Sequence, residues 1–157
     1  MPQQLNVADL RLSSPAFQGH KPIPARHASD GEDVSPALEW SGVPDGTAAF
    51  AVVMHDPDAP LVEGFTHWVV YGIPGDASGL PEDADVGLTG LNSLGNDRYN
   101  GPAPPPGHGV HHYYFWVYAL DEDLELPPNL ERRPLLIQLE DHVIEQARLI
   151  GTYVNEG

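Results

Sequence analysis

Short apolar runs, separated by turns rich in glycine and proline, dominate the pattern along the chain. Three of these runs predict β-strands, at residues 47–56 (TAAFAVVMHD), 67–73 (HWVVYGI) and 112–120 (HYYFWVYAL). The first run is almost continuously apolar, which predicts a strand buried on both faces. Residues 1–12 alternate weakly and predict a further strand. The long stretches 13–46 and 75–109 indicate irregular structure with short extended pieces.

The C-terminal part of the chain changes to a helical period, which predicts a helix over residues 131–150. The apolar positions that set this period are Leu136, Leu139, Val143, Ala147 and Ile150. Pro134 marks the start of this helix or a break between two pieces, and Gly151 is its expected C-terminal capping residue. The whole pattern predicts a single domain over 1–157, mainly β: an antiparallel Greek-key β-sandwich with a C-terminal helix. Strands and helices do not alternate, so a Rossmann-like fold is not expected.

Acidic residues far outnumber basic ones, with 23 Asp and Glu against seven Lys and Arg and a formal net charge of −16. Such a surface repels nucleic acid phosphates and anionic lipid headgroups, so we expect neither nucleic acid binding nor membrane insertion. The acids are spread along the chain, so they do not form an acidic tail. We hypothesise adaptation to high salt, which screens the repulsion between the acids. An ordinary acidic cytosolic protein is the alternative.

Cysteine is absent, which excludes disulfides and thiolate catalysis. The N-terminal residues MPQQLNVADL lack a basic start followed by an apolar core. No apolar run approaches the ~20 residues that span a bilayer. The expected location is therefore cytoplasmic.

Candidate chemistry lies where the predicted strands begin and end. Asp56 and Asp58 follow the first strand in the motif DPDAP, and closely spaced carboxylates can raise one another's pKa and donate to an anion. His67 opens the second strand. His111 and Tyr113 are two residues apart, so they project from the same face of the third. Protonated histidines donate two hydrogen bonds and suit a phosphate, whereas DPDAP alone is also typical of a solvated turn.

A segment rich in proline and glycine, YNGPAPPP at residues 99–106, lies just before the third strand. Such a segment can form one wall of a pocket and present backbone groups to a ligand. A polyproline connector or a ligand for a partner domain is the alternative. Its position beside the histidine-rich strand start favours the pocket wall.

Six motifs occur in order along the chain: SPALEW (35–40), VPDGT (43–47), DPDAP (56–60), THWVVYGIP (66–74), YNGPAPPPG (99–107) and HHYYFWVYALD (111–121). Together they resemble the phosphatidylethanolamine-binding protein family, in its bacterial and archaeal, Raf-kinase-inhibitor-like branch. The resemblance covers roughly residues 31–153. It implies a β-sandwich with a small anion-binding pocket at one end of the sheet.

The resemblance also implies the ligand-binding residues, which are Asp56, Asp58, His67, Gly101, Pro102, Ala103, Pro104, His111 and Tyr113. Ala103 stands where many eukaryotic members have glycine, and His112 stands where they commonly have arginine. No cofactor, metal or catalytic residue is implied. Microbial members are often homodimers, so a homodimer is one expectation. Trp68, Tyr114 and Trp116 are candidates for its interface, although core packing is the expected role of most of them.

The leading functional interpretation is a binding protein that holds a phosphate, a phosphomonoester or a carboxylate through His67 and His111. The aspartates balance the histidines, so an anion binds only when one aspartate is protonated or both histidines are charged. This predicts tighter binding as the pH falls. We expect His111 at the rim of the pocket, where its replacement by alanine abolishes binding and leaves the fold intact.

Two other interpretations stay open. The same aspartates and histidines suit acid–base or metal chemistry in a hydrolase. Against a metal, adjacent His111 and His112 point to opposite faces of a strand, and no G-x-S-x-G motif supplies a serine nucleophile. Catalysis is therefore not expected. The family name suggests an inhibitor of a kinase or protease, which no residue of the chain demonstrates.

Overall fold

The computed structural model describes residues 9–155 of the chain. Within this part lie eight strands: β1 (Arg11–Ser13), β2 (Leu38–Ser41), β3 (Ala49–Asp56), β4 (Phe65–Pro74), β5 (Gly79–Leu80), β6 (Leu88–Thr89), β7 (His111–Leu120) and β8 (Val143–Tyr153). One α-helix, α1 (Arg132–Leu139), precedes β8, and a short 3-10 turn covers Ala25–His27. The predicted mainly β class is confirmed. The strand predicted over residues 1–12 appears only at its end as β1, and residues 1–8 lie outside the described part.

The strands form two antiparallel sheets, one of three strands in the order β1-β2-β5 and one of five in the order β6-β4-β3-β7-β8. Strands β4 and β7 flank β3 on its two sides, so the chain crosses over β3, as a Greek-key connection requires. Leu38 and Trp40 of the small sheet share one hydrophobic core with Phe50 and Phe115 of the large sheet. The predicted β-sandwich is therefore confirmed.

The five-stranded sheet is covered on both faces. The even-numbered residues Phe50, Val52 and Met54 of β3 pack between the two sheets. The odd-numbered residues Ala49, Ala51 and Val53 pack on the other side, against Leu135 and Leu139 of α1. Burial of β3 on both faces, predicted from its continuous apolar run, is therefore observed.

The helix predicted over residues 131–150 is wrong beyond its first half. Helix α1 ends at Leu139, and Val143–Tyr153 forms an edge strand paired antiparallel with β7 along its whole length. The helical spacing was ambiguous, because Ala147, Leu149 and Tyr153 also follow the two-residue period of a strand and pack on the core between the sheets. Pairing with the open edge of β7 decides in favour of the strand.

Gly151 does not cap a helix, contrary to the prediction, but lies inside β8 opposite Tyr113. A Cβ atom there would lie 2.6 Å from Cγ1 of Ile23 and 2.8 Å from Cε2 of Phe17, so glycine permits the close approach of these side chains. Pro134 is the third residue of α1, where its missing N–H costs no helical hydrogen bond. It therefore belongs to the helix start.

No helix within residues 9–155 is long and apolar enough to cross a membrane.

Among the aromatic residues considered for an interface, Trp68 is buried in the core between the sheets. Tyr114 and Trp116 are partly exposed on the other face of β7, where their rings stack with a centroid distance of 6.5 Å.

Candidate functional site

The three predicted clusters of polar residues meet at one end of the five-stranded sheet. Asp56 is the last residue of β3, and it pairs with Phe65 at the start of β4. The start of β7 lies on the other side of β3. Neighbouring antiparallel strands begin where β3 ends, so Asp56, His67 and His111 lie together although they are far apart in the chain.

A β-bulge in β4 turns His67 towards this end of the sandwich core. The register between β3 and β4 shifts below Trp68, and His67 is the extra residue. Trp68 packs between the sheets, so strict alternation would place His67 on the opposite face. The bulge interrupts that alternation and brings the His67 ring to 5.2 Å from the ring centre of Tyr113, edge to face.

Asp56 and His111 form a buried hydrogen-bonded pair, with each side chain only 3% exposed. Asp56 Oδ2 lies 2.6 Å from His111 Nδ1, and Asp56 Oδ1 accepts the backbone N–H of Asp58 at 2.7 Å. Nε2 of His111 lies 2.7 Å from Nδ1 of His108, which is exposed. Both ring nitrogens of His111 are therefore engaged, and the expected position of His111 at the rim is wrong.

His67 is held by reciprocal hydrogen bonds with Asn100. Its Nδ1 lies 2.7 Å from the Asn100 carbonyl oxygen, and the Asn100 backbone N–H donates to the His67 carbonyl at 3.0 Å. Because a carbonyl only accepts, His67 carries a proton on Nδ1. Nε2 is then the ring nitrogen left to contact a ligand.

The backbone at Gly101 packs against the segment that carries His27. A Cβ atom on Gly101 would lie 2.0 Å from the His27 carbonyl oxygen, which excludes any larger residue in this backbone arrangement. Asp33 Oδ1 accepts the Gly101 N–H at 2.6 Å, and the Tyr99 hydroxyl donates to the same His27 carbonyl at 2.7 Å. These contacts fix one wall beside His67.

These groups surround a cavity of about 340 Å³, here called the aspartate–histidine cavity. The predicted site residues that line it are Asp56, His67, Gly101, Ala103, Pro104, His111 and Tyr113. The other lining residues are Ser29, Ala59, Pro60, Leu61, Phe65, Leu94, Asn100 and Pro105. The cavity therefore joins a small polar floor to a largely apolar mouth.

Two predicted site residues, Asp58 and Pro102, are not among the lining residues. Asp58 Oδ2 accepts from the backbone N–H and from Nδ1 of His112, each at 2.8 Å, and both side chains are more than a third exposed. The Pro102 carbonyl accepts the Ser29 N–H, and Pro102 borders a neighbouring cavity of about 240 Å³. Asp58 contacts the site through its backbone N–H, which donates to Asp56 Oδ1.

Burial controls protonation around the cavity. Desolvation lowers the pKa of His67 below its ordinary 6.5, although nearby carbonyls and Asp56 oppose that shift. Desolvation, followed by the charge of Asp56, raises the pKa of the Tyr113 phenol far above 10. Partial burial alone would raise the pKa of Asp58, but the His112 hydrogen bonds outweigh it and lower that pKa. At neutral pH, the cavity therefore presents a neutral imidazole and a neutral phenol beside the Asp56–His111 pair.

The described part of the chain contains no group of three or more His, Cys, Asp or Glu side chains arranged to hold a metal ion.

Two wider grooves, of about 590 and 580 Å³, flank α1, and Arg132 and Arg133 line both. Neither groove is lined by a histidine or an aspartate. The predicted site residues Asp56, His67 and His111 therefore line the smaller aspartate–histidine cavity and not these grooves.

Sequence reasoning missed Asn100 and the apolar mouth. Asn100 stood inside the predicted wall segment, but its side chain carried no signal that set it apart from a loop residue. Leu61 and Leu94 are 57% and 63% exposed, and they lie in segments that looked like ordinary turns. Only the folded arrangement brings these residues to His67.

The sequence profile described as phosphatidylethanolamine-binding protein matches residues 13–154. A relative from Aquifex aeolicus, whose name states no activity, is 41% identical over 153 residues, which span 93% of this chain and 89% of the relative. The crystal structure of the putative phosphatidylethanolamine-binding protein homologue CT736 from Chlamydia trachomatis superposes with a TM-score of 0.86 at 35% identity, covering 92% of this chain and 96% of that one. Escherichia coli YbcL superposes with a TM-score of 0.88 at 31% identity, covering 94% and 99%.

Proposed function

Because the chain belongs to the phosphatidylethanolamine-binding protein family, we propose that it is a binding protein whose aspartate–histidine cavity holds an anionic oxygen group. Phosphate, a phosphomonoester or a carboxylate meets this description. The observation that carries the proposal is the convergence of His67, His111 and Asp56, from three distant segments, on one cavity. Both carboxylate oxygens of Asp56 are already engaged within the protein, since Oδ2 lies 2.6 Å from His111 Nδ1 and Oδ1 accepts the Asp58 N–H.

His67 is the group that charges when the anion binds. Its Nδ1 proton is donated to Asn100, so Nε2 carries a proton only when the ring is an imidazolium. Burial lowers the pKa of His67, and the ring is therefore neutral at neutral pH without an anion. An anion that accepts from Nε2–H favours the charged ring, and binding takes up a proton. Affinity then rises as the pH falls, by at most about tenfold per pH unit above that pKa.

The apolar mouth indicates that the anionic group is attached to an apolar body. Leu61 and Leu94 form an exposed lip, and Phe65 lies beside them on the cavity wall. A phenyl or alkyl substituent in this mouth removes apolar surface from water, at about 25 cal/mol per Å². Phenyl phosphate should therefore bind more tightly than inorganic phosphate.

Titration calorimetry with inorganic phosphate, phenyl phosphate and benzoate tests the proposal. Benzoate keeps one charge between about pH 6 and 8, so any rise in its affinity as the pH falls reports proton uptake by the protein. His67→Gln should weaken binding and remove this pH dependence. His142→Gln is the matched control, because His142 pairs with Asp121 outside the cavity. Equal benzoate affinity across this pH range, or unchanged binding by His67→Gln, would contradict the proposal.

The hydrogen-bond chain of Asp56, His111 and His108 also favours binding over hydrolysis. In a nucleophilic triad, the outer imidazole nitrogen contacts a hydroxyl or thiol that it activates. Here Nε2 of His111 contacts the His108 ring instead. Within the described residues, this chain therefore ends on an imidazole.

A further inference from the structure

Asn100 carries a polar group that the fold leaves without a partner. The residue is only 6% exposed, and its Nδ2, which is shielded from solvent, is the one buried side-chain nitrogen or oxygen among residues 9–155 that has no hydrogen-bond partner. Folded proteins pair nearly all of their buried polar groups, because an unmade hydrogen bond leaves the desolvation cost uncompensated. The Asn100 amide is therefore a donor that an acceptor atom from outside the chain can pair with.

The position of Asn100 indicates where that acceptor lies. Asn100 lines the aspartate–histidine cavity, and its backbone is fixed to His67 by the two reciprocal hydrogen bonds. Asn100 thus lies next to His67 in the cavity wall, and the proposed function assigns the anion to the His67 imidazole. Nδ2 is shielded in this arrangement, but rotation of the amide about its last side-chain bond exchanges the nitrogen and the oxygen without changing its shape. The proposed contact with a ligand requires this rotation.

We infer that the Asn100 carboxamide is a ligand-binding group, which donates a hydrogen bond to an oxygen atom of the anion held by His67. The inference rests on the proposed function and adds a recognition element to it. An amide donor stays neutral at every pH, unlike His67, so its contribution is independent of pH. Asn100 accordingly selects for a ligand with at least two acceptor oxygens, as in phosphate esters and carboxylates.

Asn92 provides a contrast within the same chain. It is equally buried, at 4% exposed, but its Nδ2 donates to the Arg98 carbonyl and its Oδ1 accepts from the backbone of Leu94 and Asn96. Leucine at position 92 should lower the midpoint of urea unfolding, because it removes three hydrogen bonds. Leucine at position 100 removes an unpaired donor and should leave that midpoint unchanged or raise it.

The test combines this stability comparison with calorimetry on the full chain, using benzoate and phenyl phosphate. Asn100→Leu should weaken both by about tenfold or more, and the slope of benzoate affinity with pH should stay that of the wild type. Asn100→Asp places a carboxylate beside the anion and should abolish binding. Unchanged affinity in Asn100→Leu overturns the inference, and so does a loss of stability as large as that of Asn92→Leu, since the amide would then have a structural partner.

The outcomes also separate this inference from the proposed function. If the wild type binds the probes through His67 but Asn100→Leu binds them equally well, only the role of Asn100 is overturned. If the wild type binds neither probe, the proposed function fails and the inference fails with it.

Discussion

Two adjacent histidines at the start of β7 each contact an aspartate of the DPDAP turn, but in opposite surroundings. His111 and Asp56 are buried, at 2.6 Å, whereas His112 and Asp58 are exposed, at 2.8 Å. In an exposed pair, water screens the attraction and the pair contributes little to stability. In a buried pair, loss of one partner leaves the other as an uncompensated charge. The two pairs therefore contribute differently to the free energy of unfolding, although their distances are similar.

This difference predicts the effect of two neighbouring alanine substitutions. His111→Ala should lower the free energy of unfolding by about 3–5 kcal/mol, because the buried Asp56 loses its partner. His112→Ala, the matched control, should lower it by less than about 1 kcal/mol. Urea unfolding followed by tryptophan fluorescence measures both. Similar costs for the two variants would mean that water reaches Asp56 in solution.

Alternation along a strand was enough to predict that His111 and Tyr113 share a face. The same rule would have sent His67 to the wrong face, because no residue in THWVVYGIP announces the bulge. The sequence also could not predict that the side-chain amide of Asn100 lacks a hydrogen-bond partner. Whether a buried donor is paired depends on residues that only the fold brings close to it. Spacing predicts orientation only where a strand stays regular.

At the scale of elements, the three strands that form the centre of the large sheet were predicted to within two residues at each end. They are recognisable because their apolar runs are continuous and end in turns. Strand β8 was not predicted, because its local pattern also fits a helix. Only pairing with the open edge of β7 makes the strand more favourable than the helix. The C-terminal strand therefore depends on tertiary pairing rather than on local preference.

The close packing across Gly151 predicts that β8 tolerates no side chain there. Gly151→Ala should lower the free energy of unfolding by about 1–3 kcal/mol, because a methyl group would overlap the buried side chains of Ile23 and Phe17. Gly19→Ala is the control, because its new Cβ would lie 3.7 Å from Leu149, an ordinary contact. That variant should stay within about 0.5 kcal/mol of the wild type. Equal stabilities would show that the segment around Ile23 moves away easily.

At the scale of the whole molecule, the negative charge lies almost entirely on the surface. Among the acidic residues of the described part, only Asp56 is buried. The net charge of −16 therefore acts as mutual repulsion across the surface, which compactness increases and dissolved salt screens. Adaptation to high salt and assembly as a homodimer both stay predictions, and a dimer would bring two such surfaces together.

Salt should raise the stability of this protein. At 1 M KCl the Debye length falls to about 3 Å, so most of the repulsion between surface carboxylates disappears. We expect the midpoint of thermal unfolding to rise steadily from low to molar KCl. NaCl at equal concentration is the control, and the same rise there identifies screening rather than binding of potassium. A midpoint that does not rise would rule out the halophilic interpretation.

The lip formed by Leu61 and Leu94 belongs to neither of the two hydrophobic clusters that hold the sheets and α1 together. Natural variation at these two positions can therefore alter which molecules enter without eroding the scaffold. Ligand preference and thermodynamic robustness are separable traits in such an arrangement. Related proteins with this fold can therefore differ in ligand preference through residues at the cavity mouth, while the Asp56–His111 pair stays the same.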